Sequence, residues 1–340
     1  VSGDWTRSPL RCTQNPTMGE EWRRGWHPEI IEHKGESEKV LVVGAGPAGL
    51  EAAMSLGQRG YDVALADSGD GGGRAVLESG LPGLSSYKRV SDYRLAQIAK
   101  LSNVSFFPGS EMDPASIAEF GADQVLIATG AKWRADGLGR VTHAPVPGIA
   151  DHPEVLTPDD IMAGRLPGAD AVLVYDDDHY YLGGVIAQLL ADAGKAVTLV
   201  TPGPEVSCWT QNTMEQHRIE KALLDQGVTL IAKHTLSRVE KDCATFACNT
   251  TSRTLSVEVS ALVMVTLRAP QNCLYFEFAG EAQEKLDELP FGILRIGDCL
   301  APSTIAAAVY DGHRAARELD NLPDPDGVPF KREWSMIDRP

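Results

Sequence analysis

Apolar residues come in short blocks from Lys39 onward, and the spacing of the blocks alternates between two periods. Val40-Leu41-Val42-Val43 is an unbroken, β-branched run, as expected of a strand covered on both faces. The segment 47–59 predicts a helix, with Pro47 in the first turn, where its missing N–H costs nothing. Asp62–Ala66 predicts the next strand, and a β-rich stretch follows Asn103 and ends in Gln124-Val125-Leu126-Ile127-Ala128-Thr129-Gly130. A second strand–helix–strand unit runs from Ala171 to Val200. Strand-like pieces then lie at 228–232, 243–248, 254–259 and 261–267. The chain closes with strand Ile293–Ile296, the pair Gly297-Asp298 and a helix from Thr304 to Leu319. This alternation predicts an α/β fold of doubly wound sheets. Pro and Gly crowd between Pro145 and Pro167, which marks a domain crossing. Residues 1–36 keep neither period and carry Trp5, Trp22, Trp26, Pro9, Pro16 and Pro28, the texture of an irregular arm.

Charge and composition narrow the function classes. With 31 Lys+Arg against 47 Asp+Glu the net charge is −16, which argues against nucleic acid or an anionic membrane surface as partner. Aromatics make up only 6%, too few for a base-stacking platform. The longest apolar run, Val40 to Leu50, has 11 residues and is broken by Gly and Pro, whereas a membrane span needs about 18. The six cysteines (Cys12, Cys208, Cys243, Cys248, Cys273 and Cys299) contain no CxxC pair. In a large acidic chain without a signal all but Cys12 read as free thiols in a reducing, cytoplasmic setting. Cys243 and Cys248 read as buried thiols rather than a redox disulfide.

The strongest local signal is Gly44-Ala45-Gly46-Pro47-Ala48-Gly49, directly after a strand and opening a helix. Gly44 permits a tight turn, Gly46 lets the backbone approach a pyrophosphate, and Gly49 allows close helix–strand packing. The helix N-terminus adds free N–H groups and a positive dipole end. The acid that such a loop needs for a ribose hydroxyl falls at Asp67, 23 residues after Gly44, at the end of the second strand. Without a ligand, the same residues would form a Gly-rich turn. The fold class is therefore α/β with two Rossmann-like dinucleotide-binding domains, the second inserted in the first. The first occupies 37–150 and 285–340, and the second 165–270.

The second domain repeats the helix but not the loop. Gly49 to Gly60 spans 11 positions and so does Gly183 to Gly194, each followed by a strand. Where the first loop has Gly44 to Ala48, the second has Asp176-Asp177-Asp178-His179-Tyr180-Tyr181-Leu182, two residues longer. At about 6 Å and an effective dielectric near 20, each pair of like charges costs roughly 3 kcal/mol, so three carboxylates oppose a pyrophosphate. The following strand ends in Thr201-Pro202, with no ribose-binding acid and no Arg for a 2′-phosphate. Nicotinamide binding is not expected here, and the domain reads as a structural unit or docking surface. His179-Tyr180-Tyr181 reads as loop packing rather than a gate.

Ala128-Thr129-Gly130 and Gly297-Asp298, each ending a strand, complete a set that resembles the flavoproteins with two dinucleotide-binding domains. Taken alone, Asp298 reads as a helix N-cap or turn residue. The resemblance instead implies that Asp298 meets the ribityl–pyrophosphate region of a flavin, and that Gly73 and Arg74 belong to a loop beneath the dinucleotide. Arg11-Cys12-Thr13-Gln14-Asn15-Pro16, the run Gly19 to Glu29 and Ala131-Lys132-Trp133 narrow the resemblance further. The chain is similar to the C-terminal half of the trimethylamine dehydrogenase family, which includes dimethylamine and histamine dehydrogenases, with 2,4-dienoyl-CoA reductases as more distant kin. The loop 176–181 and the run Val206 to Thr213 look closest to N-methyl amine and betaine demethylases.

That resemblance implies a chain that begins mid-enzyme, after a barrel that carries FMN and the substrate. Cys12 would be the fourth ligand of a [4Fe-4S] cluster, since such clusters demand four thiolates. The site in this chain would hold FAD or ADP, bound by Gly44, Ala45, Gly46, Pro47, Ala48, Gly49, Asp67, Gly73, Arg74, Thr129, Gly130 and Asp298. Electrons would run from substrate through FMN and the cluster to an electron-transfer flavoprotein, in a homo-oligomer. The Trp-rich arm, with Arg23 and Arg24, would wrap against the barrel, and no catalytic residue is expected in this chain. Two other readings are an NAD(P)H-dependent reductase of the dienoyl-CoA type and a non-catalytic ADP-binding scaffold.

Overall fold

The computed structural model describes residues 10–20, 26, 30–33, 38–281 and 283–320. Trp5, Trp22, Pro9, Pro28, Arg23 and Arg24 of the expected arm lie outside the described residues. In chain order the elements begin with β1 (Lys39–Val43), α1 (Pro47–Arg59), β2 (Asp62–Ala66), α2 (Gly73–Ser79), α3 (Lys88–Ile98), β3 (Val104–Phe107), α4 (Pro114–Phe120) and β4 (Gln124–Ile127). Then come β5 (Ala131–Trp133), β6 (Val155–Leu156), α5 (Pro158–Met162), β7 (Ala171–Asp176), α6 (Leu182–Asp192), β8 (Ala196–Val200), α7 (Gln216–Asp225) and β9 (Thr229–Ile231). An antiparallel run follows as β10 (His234–Glu240), β11 (Cys243–Cys248) and β12 (Thr254–Glu258). The last elements are β13 (Ala261–Val265), β14 (Arg268–Pro270), α8 (Cys273–Ala279), β15 (Gly292–Arg295) and α9 (Ile305–Glu318). Of the described residues, Val76–Tyr87 and Ala131–Ala269 form one compact unit and the others form a second.

The unit with the Gly-rich loop is built on a five-stranded sheet in the order β15-β4-β1-β2-β3, with every pair parallel. Strand β1 is apolar throughout because both its faces are covered. Val40 and Val42 join the core beneath α1, whereas Leu41 and Val43 join the core beneath α4 and α8. The chain leaves β1 toward β2 on one side and later returns to β4 on the other. That reversal makes a topological switch point at the C-terminal ends of β1 and β4, where open α/β sheets bind ligands.

The other unit repeats this plan as β6-β13-β7-β8-β9, again all parallel. Val172 and Val174 of β7 face the helix side with α6, and Leu173 and Tyr175 face a core shared with Phe246 of the antiparallel sheet. In sequence this second sheet lies between β4 and β15 of the first, so the duplicate is inserted as expected.

Local readings differ from the structure where burial and polarity disagree. The stretch after Asn103 is not continuously β-rich, because Pro114–Phe120 is helical, with Asp113 accepting from the Ser116 N–H as its cap. Helix α3 leaves little apolar period to read, since one of its core positions is the fully buried Arg94. Cys243 and Cys248 sit at the two ends of β11, about 16 Å apart at the usual rise, so they cannot bond to each other, and both are half-buried rather than buried as expected. No helix among the described residues is long and apolar enough to cross a membrane.

Candidate functional site

Each glycine of the first loop answers to a different neighbour. Gly44 turns the chain out of β1 at φ +105°, and a Cβ there would lie 2.4 Å from the Ala128 carbonyl oxygen. A Cβ on Gly49 would lie 1.8 Å from the Gly44 carbonyl oxygen. Gly46 is the N-cap of α1, and a Cβ on it would meet nothing within 4 Å. The space ahead of the helix is therefore open. No side chain caps this end, its first turn carries no acid, and Pro47 holds the first helical position. The uncapped N–H groups and the dipole end face that open space, an arrangement that favours an anion. The residues present fit a dinucleotide pyrophosphate.

Asp67 closes the loop from the second strand. Its Oδ2 accepts from the Ala45 N–H at 2.6 Å and its Oδ1 from the Gly69 N–H at 2.7 Å. Each carboxylate oxygen has a further lone pair, so the loop-holding role leaves it able to accept a ribose hydroxyl. Gly72 donates to the Ala45 carbonyl at 2.7 Å, and Gly73, at φ +50°, brings its missing Cβ within 2.9 Å of Gly46 Cα. The segment Gly71–Gly73 thus packs under the loop, and Gly73 then opens α2.

Arg74 extends from α2 to Asp298, Nη1 to Oδ2 at 3.0 Å, and donates from Nη2 to the Ser303 carbonyl at 3.2 Å. Asp298 Oδ1 accepts from the Ser303 N–H, so Asp298 braces the turn before α9. The N-cap of α9 is Thr304, which accepts from the Ala307 N–H at 3.3 Å and takes up one of the donors this helix could have aimed at a cofactor. Burial pushes the Asp298 carboxyl up, and Arg74 with the Ser303 N–H offsets only part of that. At Ala48 the small side chain lets α9 approach closely. A Cβ on Gly297 would lie 2.5 Å from Ala48 Cβ, and one on Gly312 2.1 Å from the Ala48 carbonyl oxygen.

Thr129 donates to the Gln271 carbonyl at 2.5 Å, and Gln271 returns its side-chain N–H to the Thr129 carbonyl at 3.0 Å. Gly130, at φ +77°, has open space where a Cβ would be. The buried Cys299 Sγ lies 3.3 Å from both Thr129 Oγ1 and the Gln271 carbonyl oxygen. The structure therefore brings the first-loop residues, Asp67, Arg74, Thr129, Gly130 and Asp298 to the strand ends of one sheet. Gln271 and Cys299 join them without having been singled out, since neither sits in a recognisable pattern.

Behind the loop lies a buried network that sequence reasoning also missed. Glu51, on the second turn of α1, accepts from Arg94 Nε at 2.7 Å and from His313 Nδ1 at 2.8 Å, with Ser55 also in reach. Burial raises the Glu51 carboxyl, but the His313 hydrogen bond and the Arg94 charge outweigh it and hold it below the ordinary range. Arg317 Nε donates to His313 Nε2 at 3.2 Å, which places the imidazole proton on Nδ1.

The second loop is filled by its own side chains. Asp177 is fully buried and accepts from the backbone N–H groups of Val141 and Thr142 at 3.1 and 3.0 Å. It also pairs with His179 Nε2 at 3.1 Å, while His179 Nδ1 meets Thr201 Oγ1. Asp176 Oδ1 accepts from the N–H groups of Asp178 and His179, at 3.1 and 3.0 Å. Its Oδ2 is buried with no partner. Gly183, equivalent to Gly49 by helix spacing, makes room for this carboxyl, since a Cβ there would lie 2.5 Å from Asp176 Cγ. Burial first, and then the Asp178 charge, push the Asp176 carboxyl up to about 7. One of the three adjacent acids is therefore only partly ionised near neutral pH. The loop's carboxylates thus take up two backbone donors of the loop itself and two of the segment Val141–Thr142, so its acids are already engaged.

Cys12 is half-buried in a turn of Leu10–Glu20, where its Sγ accepts from the Gln14 N–H at 3.4 Å. Such N–H···S bonds support thiolate ligands of iron–sulfur clusters, so Cys12 fits as one such ligand. No three metal-ligating side chains come together among the described residues.

A pyridine nucleotide-disulphide oxidoreductase family model matches residues 38–312. The structure of histamine dehydrogenase from Rhizobium sp. 4-9 is similar at TM-score 0.93 and 43% identity, over 99% of this chain and 52% of that one. The structure of 6-hydroxypseudooxynicotine amine oxidase from Pseudomonas geniculata N1 has TM-score 0.89 and 40% identity, over 94% and 47%. Dimethylamine dehydrogenase from Hyphomicrobium sp. (strain x) is 34% identical over 96% of this chain and 47% of its own length. The chain spans about half the length of each of these proteins.

Proposed function

The chain belongs to the pyridine nucleotide-disulphide oxidoreductase family, and from that premise we propose that it is the nucleotide-binding, electron-transfer half of an iron–sulfur flavoprotein that oxidises an N-methylated amine or betaine. The observation that carries the reading is the contrast between two equivalent loops, one built of glycines with open space at Gly46 and the other occupied by the buried Asp176 and Asp177. The open loop takes FAD or ADP, with the pyrophosphate ahead of Gly46 and the ribose near Asp67. Arg74 and Asp298 brace the far side, and Thr129 and Gly130 line the end of β4. Bound FAD would add a two-electron centre, whereas ADP would only hold the fold.

The second loop carries buried carboxylates where the first has glycines, which favours electrons arriving from an amine rather than from NAD(P)H. In this reading Cys12 is the fourth thiolate of a [4Fe-4S] cluster, whose other ligands, with FMN and the substrate pocket, belong to a barrel of the same enzyme. The acceptor is an electron-transfer flavoprotein, and the enzyme is a cytoplasmic homo-oligomer. The amine-acting relatives of about twice the length support it.

The test uses the purified full-length enzyme. Under anaerobic conditions a small N-methylated amine should bleach the flavin absorbance and NADH should not. Bleaching by NADH alone would replace this reading with a reductase. Denaturation then releases the nucleotide of this chain, and a second adenine-bearing flavin distinguishes FAD from ADP.

A further inference from the structure

The Cys12 turn is fastened to the helix that follows the nucleotide loop. Within the turn, Asn15 Oδ1 accepts from the Thr17 N–H at 3.0 Å and from its hydroxyl at 2.8 Å. Arg11 pairs with the buried Glu20 at 2.7 Å and lies 3.7 Å over the ring of Tyr310 on α9. Trp26 packs edge-on to His313 at 5.6 Å. The central fastening is Arg94. It spends three donors on three different elements: Nε on Glu51 of α1 at 2.7 Å, Nη1 on the Val90 carbonyl of α3 at 2.8 Å, and Nη2 on the Gln14 carbonyl at 3.4 Å.

Gln14 is also the residue whose N–H reaches Cys12 Sγ. Holding its carbonyl fixes the residue between two anchors, the sulfur on one side and the guanidinium on the other. Both Arg94 and Glu51 are fully buried, so the guanidinium has no water to exchange for these partners. Glu51 lies only two residues beyond Gly49 on the helix that faces the open nucleotide space.

We infer that Arg94, oriented by Glu51, is a positioning residue for Cys12, setting the N–H···S bond of an iron–sulfur ligand from the helix that serves the nucleotide. The inference rests on the reading of Cys12 as a cluster ligand. Hydrogen bonds to cluster sulfurs are among the determinants of its potential. Withdrawing Arg94 from Gln14 loosens the turn, weakens that bond and lowers the potential of the cluster.

The decisive variant is R94K in the full-length holoenzyme. Lysine keeps a charge beside Glu51, but a single ammonium cannot reproduce the fork onto Gln14 and Val90. The expected result is a folded enzyme with unchanged released nucleotide, a downward shift of the cluster midpoint potential and a broadened electron paramagnetic resonance signal of the reduced cluster. A folded R94K with wild-type spectrum, potential and iron content would overturn the inference. Should R94K fail to fold, E51D decides on the same two readouts, because shortening the carboxylate draws the guanidinium away from Gln14 while keeping the pair. Wild-type holoenzyme without iron refutes the cluster reading itself, whereas an iron-replete enzyme indifferent to R94K or E51D refutes only the role of Arg94.

Discussion

Replacing Asp176 by Asn removes an ionisable group from the middle of the filled loop and leaves its shape intact, since the amide oxygen can still accept from the Asp178 and His179 N–H groups. In the folded protein this carboxyl titrates at about 7, against 3.8 ordinarily, because it is fully buried and faces Asp178. Between those two values the folded state holds a proton that the unfolded chain has lost. Stability therefore falls as pH rises, by about 1.4 kcal/mol per unit, and the loss is complete above about pH 7. Three units of displacement amount to about 4 kcal/mol, an upper figure that relaxation around the group reduces. D176N escapes this loss. It should match the wild type near pH 4 and become progressively more stable, by up to about 4 kcal/mol, at about pH 8. Urea unfolding followed by tryptophan fluorescence across that pH range measures the difference directly. A D176N protein no more stable than wild type at high pH, or one whose advantage is the same at every pH, would refute a buried carboxyl whose Oδ2 has no partner.

Three further outcomes follow from the same geometry. Gly46→Ala should lose bound nucleotide while its unfolding free energy stays within about 0.5 kcal/mol of wild type, because its Cβ enters open space where the ligand lies. Gly49→Ala should instead cost about 3 kcal/mol or more, since its Cβ meets the Gly44 carbonyl, and nucleotide content with a denaturation curve separates the two. Glu51→Ala strands Arg94 and His313 in the core and should cost about 3–5 kcal/mol in urea unfolding.

Much of the first site was legible because its chemistry is local. The strand, the three glycines, Pro47 and Asp67 lie within one β–α–β unit, and the structure places the strand and helix of this unit within a residue of where the hydrophobic pattern puts them. The duplicated helix and the altered second loop were equally plain from spacing alone. Gln271 and Cys299 were not legible, because they reach Thr129 from sequence separations of 142 and 170 residues and carry no motif. Arg94 was hidden for the opposite reason, as a charged residue at a core position that breaks the apolar period.

What the sequence determined by itself was the alternation of β and α elements, the duplication, and which of the two loops keeps its glycines, because each rests on residues a few positions apart. Tertiary structure decided the ionisation and pairing of the buried groups. Asp176 is pushed up to about 7 by the absence of water around it, although the sequence shows it only as one of three adjacent acids. Glu51 stays ionised at similar depth because folding brings Arg94 and His313, 43 and 262 residues away, within hydrogen-bonding distance. A carboxyl's charge depends on its surroundings in space, and only the folded chain supplies them.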